Sequence, residues 1–169
     1  MLIFEHKLIY ERTDDMSVLS DFYCDIGEMD DFIHNKLQAC IDRSPELETY
    51  IVYEEDVVVA LASFKESHIQ VEIDEDRRFC APSLEIEYLA VRNKLQKKHI
   101  GSDIMKWIFD KLVCEHANCQ YLSVRAYRDT DINYSAVPFY RKFCFQIIKK
   151  PHPMANAVKM ACNVQNIKK

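Results

Sequence analysis

The sequence predicts an α/β layered fold built around one strand–loop–helix unit, on three features. Residues 83–91, SLEIEYLAV, alternate Leu84, Ile86, Tyr88 and Ala90 with Glu85, Glu87, Leu89 and Val91, the period of a strand. Past a lysine-rich turn, Ile100, Ile104, Trp107, Ile108, Lys111 and Leu112 recur at the spacing of one helical face. Segments with one period or the other then alternate along the chain, giving the order β-α-β-β-β-α-β-α-β-β.

In chain order, HKLIYERT reads as a first strand. DIGEMDDFIHNKLQACIDR places Met29, Phe32, Ile33, Leu37, Cys40 and Ile41 near helical spacing, with acidic residues in the first turn, and reads as one helix. TYIVYEEDVVVALASFKES reads as a hairpin around Glu-Glu-Asp. HIQVEIDEDRRFCAP has no settled period; its charges and Pro82 point to a variable excursion. After the central unit, CQYLSVRAYR is a strand, YSAVPFYRKF a short helix, and CFQIIKK and AVKMACNV two closing strands.

Composition narrows the function classes. The chain has 169 residues, 49% apolar and 29% charged, enough for one domain spanning 1–169 with a sizeable core. No apolar run approaches the roughly 20 residues that cross a bilayer. MLIFEHKLIYER carries Glu5 and Glu11 and lacks a basic head, so a signal peptide is not expected and a cytoplasmic location is. Seven cysteines, an odd number in apolar contexts, are expected to be small buried hydrophobes in a reducing compartment. CEHANC groups Cys114, His116 and Cys119, but half of a four-ligand zinc site is missing, so no metal is expected. The net charge of −5 counts against nucleic acid as the default partner.

The stretch LAVRNKLQKKHIGSD raises a sharper possibility. As a bare basic turn, Lys94, Lys97 and Lys98 simply keep a helix soluble. Yet cations sit at the unfavourable end of the helix macrodipole there, and an anion held by the free N–H groups of the first turn would relieve the mismatch. The flanks extend the pattern. Leu89-Ala90-Val91 is followed by Gln96-Lys97-Lys98-His99-Ile100-Gly101, and a second motif comes later with Asn133, Ala136, Phe139-Tyr140 and Cys144-Phe145. Together these resemble the GCN5-related N-acetyltransferase (GNAT) superfamily, whose first motif is Gln/Arg-x-x-Gly-x-Gly/Ala after a Leu-Ala-Val strand and whose second ends in aromatic-Tyr and Gly-Phe. His99 and Cys144 stand where that pattern has glycine. FYCDIGEMDDFIHNKL is similar to the opening of a toxin-type subgroup, with Phe22, Cys24 and Phe32 matching and Asp25 in place of a glycine.

The resemblance implies a GNAT fold: a mixed, mostly antiparallel sheet, splayed parallel central strands and helices on both faces. It implies acetyl-CoA as co-substrate, with the backbone of Leu89, Ala90 and Val91 along the pantetheine arm and the amides of Lys97, Lys98, His99, Ile100, Gly101 and Ser102 around the pyrophosphate. A β-carbon at His99 would cost about 1–2 kcal/mol if that backbone is left-handed. Tyr140 is implied as the general acid that protonates the leaving sulfur, a phenol being protonated at neutral pH. Asn133 would cap the short helix and bond the pantetheine chain. Glu85 and Glu87 share a face with Leu89, and Glu87 is the candidate base, acting through water; a solvated strand face explains the same pair. Ser123 stands where some relatives carry a basic glutamate.

The function expected is an N-acetyltransferase in which a primary amine attacks acetyl-CoA directly. Acceptor candidates are a small amine, a protein amine, and, through the toxin-like opening, the α-amino group of an aminoacyl-tRNA. A non-catalytic GNAT module binding CoA or a protein competes with it because two motif glycines are missing. RNA binding by the basic loop and the Arg77-Arg78-Phe79 segment is a third reading. The resemblance also admits a homodimer.

Overall fold

A computed structural model describes residues 7–72 and 74–166; residues 1–6, which carry half of the signal-peptide argument, and Ile73 lie outside them. The strands form an eight-stranded sheet in the order β1-β2-β3-β4-β5-β8-β7, with β6 paired to β5. Pairing is antiparallel for β1–β2, β2–β3, β5–β8, β5–β6 and β7–β8, and parallel for β4–β5. The strands are β1 (Leu8–Arg12), β2 (Glu48–Glu54), β3 (Val57–Glu72), β4 (Arg78–Val91), β5 (Tyr121–Asp129), β6 (Tyr134–Ser135), β7 (Gln146–Ile147) and β8 (Ala157–Asn163). This is the mixed α/β architecture expected. Among the described residues no helix is long and apolar enough to cross a membrane.

The chain forms two compact units. One holds residues up to Phe64 together with Tyr88–Ile104; the other holds Lys65–Glu87 and residues from Met105 on.

In the first unit, helices α1 (Gly27–Asn35) and α2 (Leu37–Arg43) stand where one helix was expected. The interruption is at Lys36, whose φ of −131° leaves the helical region. Asp31 gathers both residues at the break, accepting from Asn35 Nδ2 and Lys36 Nζ at 2.8 Å each. Ile33, Leu37 and Ile41 still face one way and pack with Leu19, Phe22, Ile51 and Leu61 in a continuous core. Each such side chain contributes about 1.5–3 kcal/mol on burial. The β2–β3 hairpin turns at Glu55-Asp56, with Glu55 left-handed at φ 49°. Opposite one another in that ladder, Thr49 and Ser63 are fully buried and satisfy each other at 2.9 Å.

In the second unit, the supposed excursion at 68–82 is mostly strand. β3 runs on to Glu72 and β4 starts at Arg78. Ile69 and Ala81 are buried with Ala161 in a local cluster, which is why a segment rich in charge still pairs. β4 is covered on both faces over Leu84, Glu85 and Ile86, so its alternation does not separate a core face from a wet one. Its parallel ladder with β5 runs only from Ser83 opposite Tyr121 to Ile86 opposite Val124, while β4 continues to Val91 and β5 to Asp129.

Helix α3 (Ile100–Trp107) passes through a π-helical turn (Ile108–Leu112) into a last turn, α4 (Val113–Glu115). Ile104, Ile108 and Leu112 form its buried stripe, as their spacing requires. A short helix, α5 (Val137–Arg141), completes the helical set. The cysteines depart from expectation: only Cys24 and Cys162 are buried, whereas Cys80, Cys114 and Cys144 are exposed. All seven are free.

Candidate functional site

Of the residues expected to hold the cofactor, those from Leu89 to Ser102 lie in the first unit and Asn133 in the second. β4 ends at Val91, a 3-10 turn covers Asn93–Leu95, and α3 opens at Ile100. Between these, Lys97 and His99 are both left-handed, at φ 63° and 67°. Lys97, Lys98 and His99 are exposed, whereas Ala90 and Ile100 are buried and anchor the two ends. His99 therefore occupies the backbone shape that the missing glycine would take freely.

The same holds at the other two replaced glycines: Asp25 has φ 61° and Cys144 φ 65°. Neither of the chain's own two glycines has a positive φ. The left-handed region costs a side-chain-bearing residue about 1–2 kcal/mol, and glycine gives back about 0.5–1 kcal/mol in entropy. His99→Gly is thus expected to raise stability by about 0.5–1 kcal/mol, or about 2–3 °C in melting temperature. A thermal melt checks it, and a lower melting temperature would remove the glycine-type account of this turn.

The loop is braced from residues 21–25, an arrangement the sequence did not suggest. The Asn93 N–H donates to the Tyr23 carbonyl at 2.9 Å, and Asn93 Nδ2 donates to Asp25 Oδ2 at 2.8 Å. Gln96 Nε2 donates to the Cys24 carbonyl at 2.6 Å and to the Val91 carbonyl at 3.1 Å. Arg92 donates to the Asp21 and Val58 carbonyls at 2.9 and 2.7 Å, and its guanidinium carbon lies 5.4 Å from the Phe22 ring centroid. Cys24 is buried there, which pushes its thiol up to about 12, with a smaller contribution from Asp30. A thiol so protonated is no nucleophile at neutral pH. The one sequence signal that could have led here is Asp25, a charged residue where the related opening has glycine.

Glu87, Tyr140 and Asn133 lie in the second unit. Tyr140 sits on α5 with its ring against Phe139 and Phe145, at centroid distances of 5.1 and 5.4 Å. The residue is 5% exposed. Its hydroxyl makes no hydrogen bond among the described residues. Burial pushes the phenol well above its usual value, and Tyr134 adds to the shift. The side chain is packed as a core aromatic.

Asn133 does not cap α5. It is exposed and left-handed, at φ 53°, in the turn between β5 and β6. Tyr134 and Ser135 pair with Asp129 and Arg128, so the helix begins only at Val137. Ser135 Oγ accepts from the Val137 N–H at 3.3 Å, and Pro138, in the first turn, has no N–H to satisfy.

The glutamate pair is not a solvated face. Lys65 Nζ lies 2.8 Å from Glu87 Oε2 and 4.0 Å from Glu85 Oε2, while Arg125 Nε lies 3.7 Å from Glu85 Oε1. The Glu85 side chain is 10% exposed and that of Glu87 26%, so Glu87 is the one a water can reach. Ser123, opposite Glu85 in the ladder, is buried and pairs with Ser83 at 3.3 Å. Lys65 and Arg125 carried no sequence motif; only the pairing of distant segments brings them here.

Two other groups are accounted for locally. His116 Nδ1 lies 2.9 Å from Glu66 Oε1. Arg77 and Arg78 pair with Asp74 and Glu72, so the cations of the Arg77-Arg78-Phe79 segment are partly neutralised.

A model of a family described as "Acetyltransferase (GNAT) family" matches residues 13–145. No curated protein sequence matches the chain. Similar solved structures include AtaT complexed with acetyl-methionyl-tRNAfMet, at 19% identity and TM-score 0.71, covering 95% of this chain and 97% of that one. The KacTA–DNA complex has 17% identity and TM-score 0.70, covering 96% of each chain. A structure described as AtaTR bound with AcCoA has 19% identity and TM-score 0.68, covering 95% and 96%. At such identities the likeness is one of fold.

Proposed function

The chain belongs to the acetyltransferase (GNAT) family, and on that premise we propose that it moves an acetyl group from acetyl-CoA to a primary amine by direct attack, with residues 1–169 acting as one domain. The observation that carries this reading is the left-handed pair Lys97 and His99 at the opening of α3. It gives the segment leading into α3 a glycine-type backbone shape at the helix end whose dipole favours a pyrophosphate. The conformation survives without the glycine, and the His99 amide can still donate.

Past Ile86, β4 no longer pairs with β5, and its Leu89–Val91 backbone is suited to accept the pantetheine arm as an added strand. The incoming nitrogen bonds to the thioester carbonyl carbon, and the carbon–sulfur bond breaks. Tyr140 gives its phenolic proton to the departing sulfur; its raised pKa keeps that proton in place at neutral pH and also makes the phenol a weaker acid. Glu87 takes the surplus proton of the attacking amine through a water, with Lys65 fixing its carboxylate. None of the cysteines is needed as a covalent carrier.

Glu87→Gln is expected to lower kcat/KM about 100-fold for an acceptor that arrives as an ammonium ion, leaving acetyl-CoA affinity unchanged. Equal kcat/KM in the two proteins would assign the deprotonation elsewhere. The reading as a whole is tested by acetyl-CoA titration followed by thiol release with a panel of amines; the result against it is no release with any of them.

A second reading concerns the acceptor: the α-amino group of an aminoacyl-tRNA. The likeness to the AtaT structure with acetyl-methionyl-tRNAfMet and the toxin-like Phe22–Phe32 opening support it. The net charge of −5 weighs toward a small cationic amine instead. Competing aminoacyl-tRNA against polyamines in one acetylation assay separates the two.

A further inference from the structure

The brace from residues 21–25 has no place in the chemistry, yet three side chains of the Arg92–Gln96 turn and the Asn93 N–H are committed to it. Asn93 uses its main chain on Tyr23 and its side chain on Asp25, Gln96 its amide on Cys24, and Arg92 its guanidinium on Asp21. Asp25 holds a left-handed conformation to do so, at φ 61°. Its carboxylate accepts a charge-assisted bond from Asn93 Nδ2 at 2.8 Å, as the Asp21 carboxylate does from Arg92 Nη2 at 3.3 Å. Behind it, Cys24 is fixed by its N–H donating to Asp30 Oδ1 at 2.8 Å, which ties the brace to the first turn of α1.

From this geometry we infer that Asp25 is a positioning residue for the cofactor loop: through Asn93 it locks the turn that sets Lys97 and His99 left-handed, and so tunes acetyl-CoA affinity without touching acetyl-CoA. The inference rests on the cofactor reading of the Lys97–Ser102 loop. A glycine at 25 would adopt φ 61° at no steric cost but would leave Asn93 Nδ2 without its partner. Aspartate accepts the backbone cost and supplies the oxygen. Asparagine tolerates the same conformation and keeps an acceptor.

The three residues therefore make a test in which stability and positioning move apart. Asp25→Gly is expected to melt within about 4 °C of the wild-type temperature, the backbone relief offsetting most of the lost hydrogen bond, and yet to bind acetyl-CoA about tenfold more weakly. KM for acetyl-CoA should rise by the same factor, with kcat at saturation changed less than twofold. Asp25→Asn is expected to restore affinity. Asn93→Ala is expected to add little on top of Asp25→Gly, since both remove one contact. Amide hydrogen exchange of residues 97–102 provides a readout independent of the cofactor, and should quicken in Asp25→Gly and return to the wild-type rate in Asp25→Asn. Unchanged loop exchange in Asp25→Gly overturns the positioning role. Faster exchange with no acetyl-CoA binding by any of the proteins supports the brace and overturns the cofactor reading instead.

Discussion

Tyr140→Phe is expected to lower kcat by roughly 100-fold or more, with acetyl-CoA affinity within twofold of wild type. The change removes one oxygen and leaves the ring, so the contacts with Phe139 and Phe145 persist and the fold is spared. The loss is confined to the proton for the leaving sulfur. The raised pKa gives the sign of the pH dependence: the donor stays protonated from neutral into alkaline solution, so loss of this proton does not limit wild-type activity there. Thiol release measured with a coloured disulfide at saturating amine checks both statements. Turnover equal to wild type would take Tyr140 out of the mechanism.

Phe22→Ala is expected to cost about 3–5 kcal/mol, the range for removing a buried aromatic ring. Phe22 is fully buried, packs in the core shared by α1, α2, β2 and β3, and lies under the Arg92 guanidinium. Truncation leaves a cavity and withdraws the ring face from Arg92, whose other partners are backbone carbonyls and Asp21. The melting temperature should fall by about 10 °C or more, which a calorimetric scan would report. Because Arg92 begins the braced turn, acetyl-CoA affinity should fall as well. A loss under about 1 kcal/mol would mean that the core closes over the gap.

The central unit was legible because its signals are local: period two up to Val91, then a helical stripe from Ile100. So was the β2–β3 hairpin, whose turn is only Glu55-Asp56. The break at Lys36 was hidden because the apolar spacing across it is unbroken, and only the side-chain bonds to Asp31 mark the place. The ends of β3 and β4 were hidden by their charges, which lie at the rim of a strand pair and pair with one another as Arg78 does with Glu72. Asn133 misled for a related reason: two residues of strand, Tyr134 and Ser135, are too short to leave a period, so the helix was expected to begin too early.

At the candidate site, the residues that motifs name were all visible, and those that hold them in place were not. Lys65 reaches Glu87 from 22 positions away, and Asn93 reaches Asp25 across 68. Such pairs arise from the pairing of strands and the course of loops, which no local pattern encodes. The replaced glycines lie between these extremes. The letters at 25, 99 and 144 argued against the motif, yet the backbone at all three kept its left-handed shape.

The π-helical turn at Ile108–Leu112 has a consequence for the length of this chain. Such a turn arises where a helix takes in one surplus residue without rotating the turns beyond it. Ile108 at the start of the turn and Val113 just past it are both buried, while Asp110 and Lys111 in the bulge face water. Trimming one of those two would let the coil tighten to ordinary pitch and keep the neighbouring apolar side chains pointed inward. At this point the helix can be shortened by one residue where a deletion elsewhere along it would swing its buried stripe out to solvent.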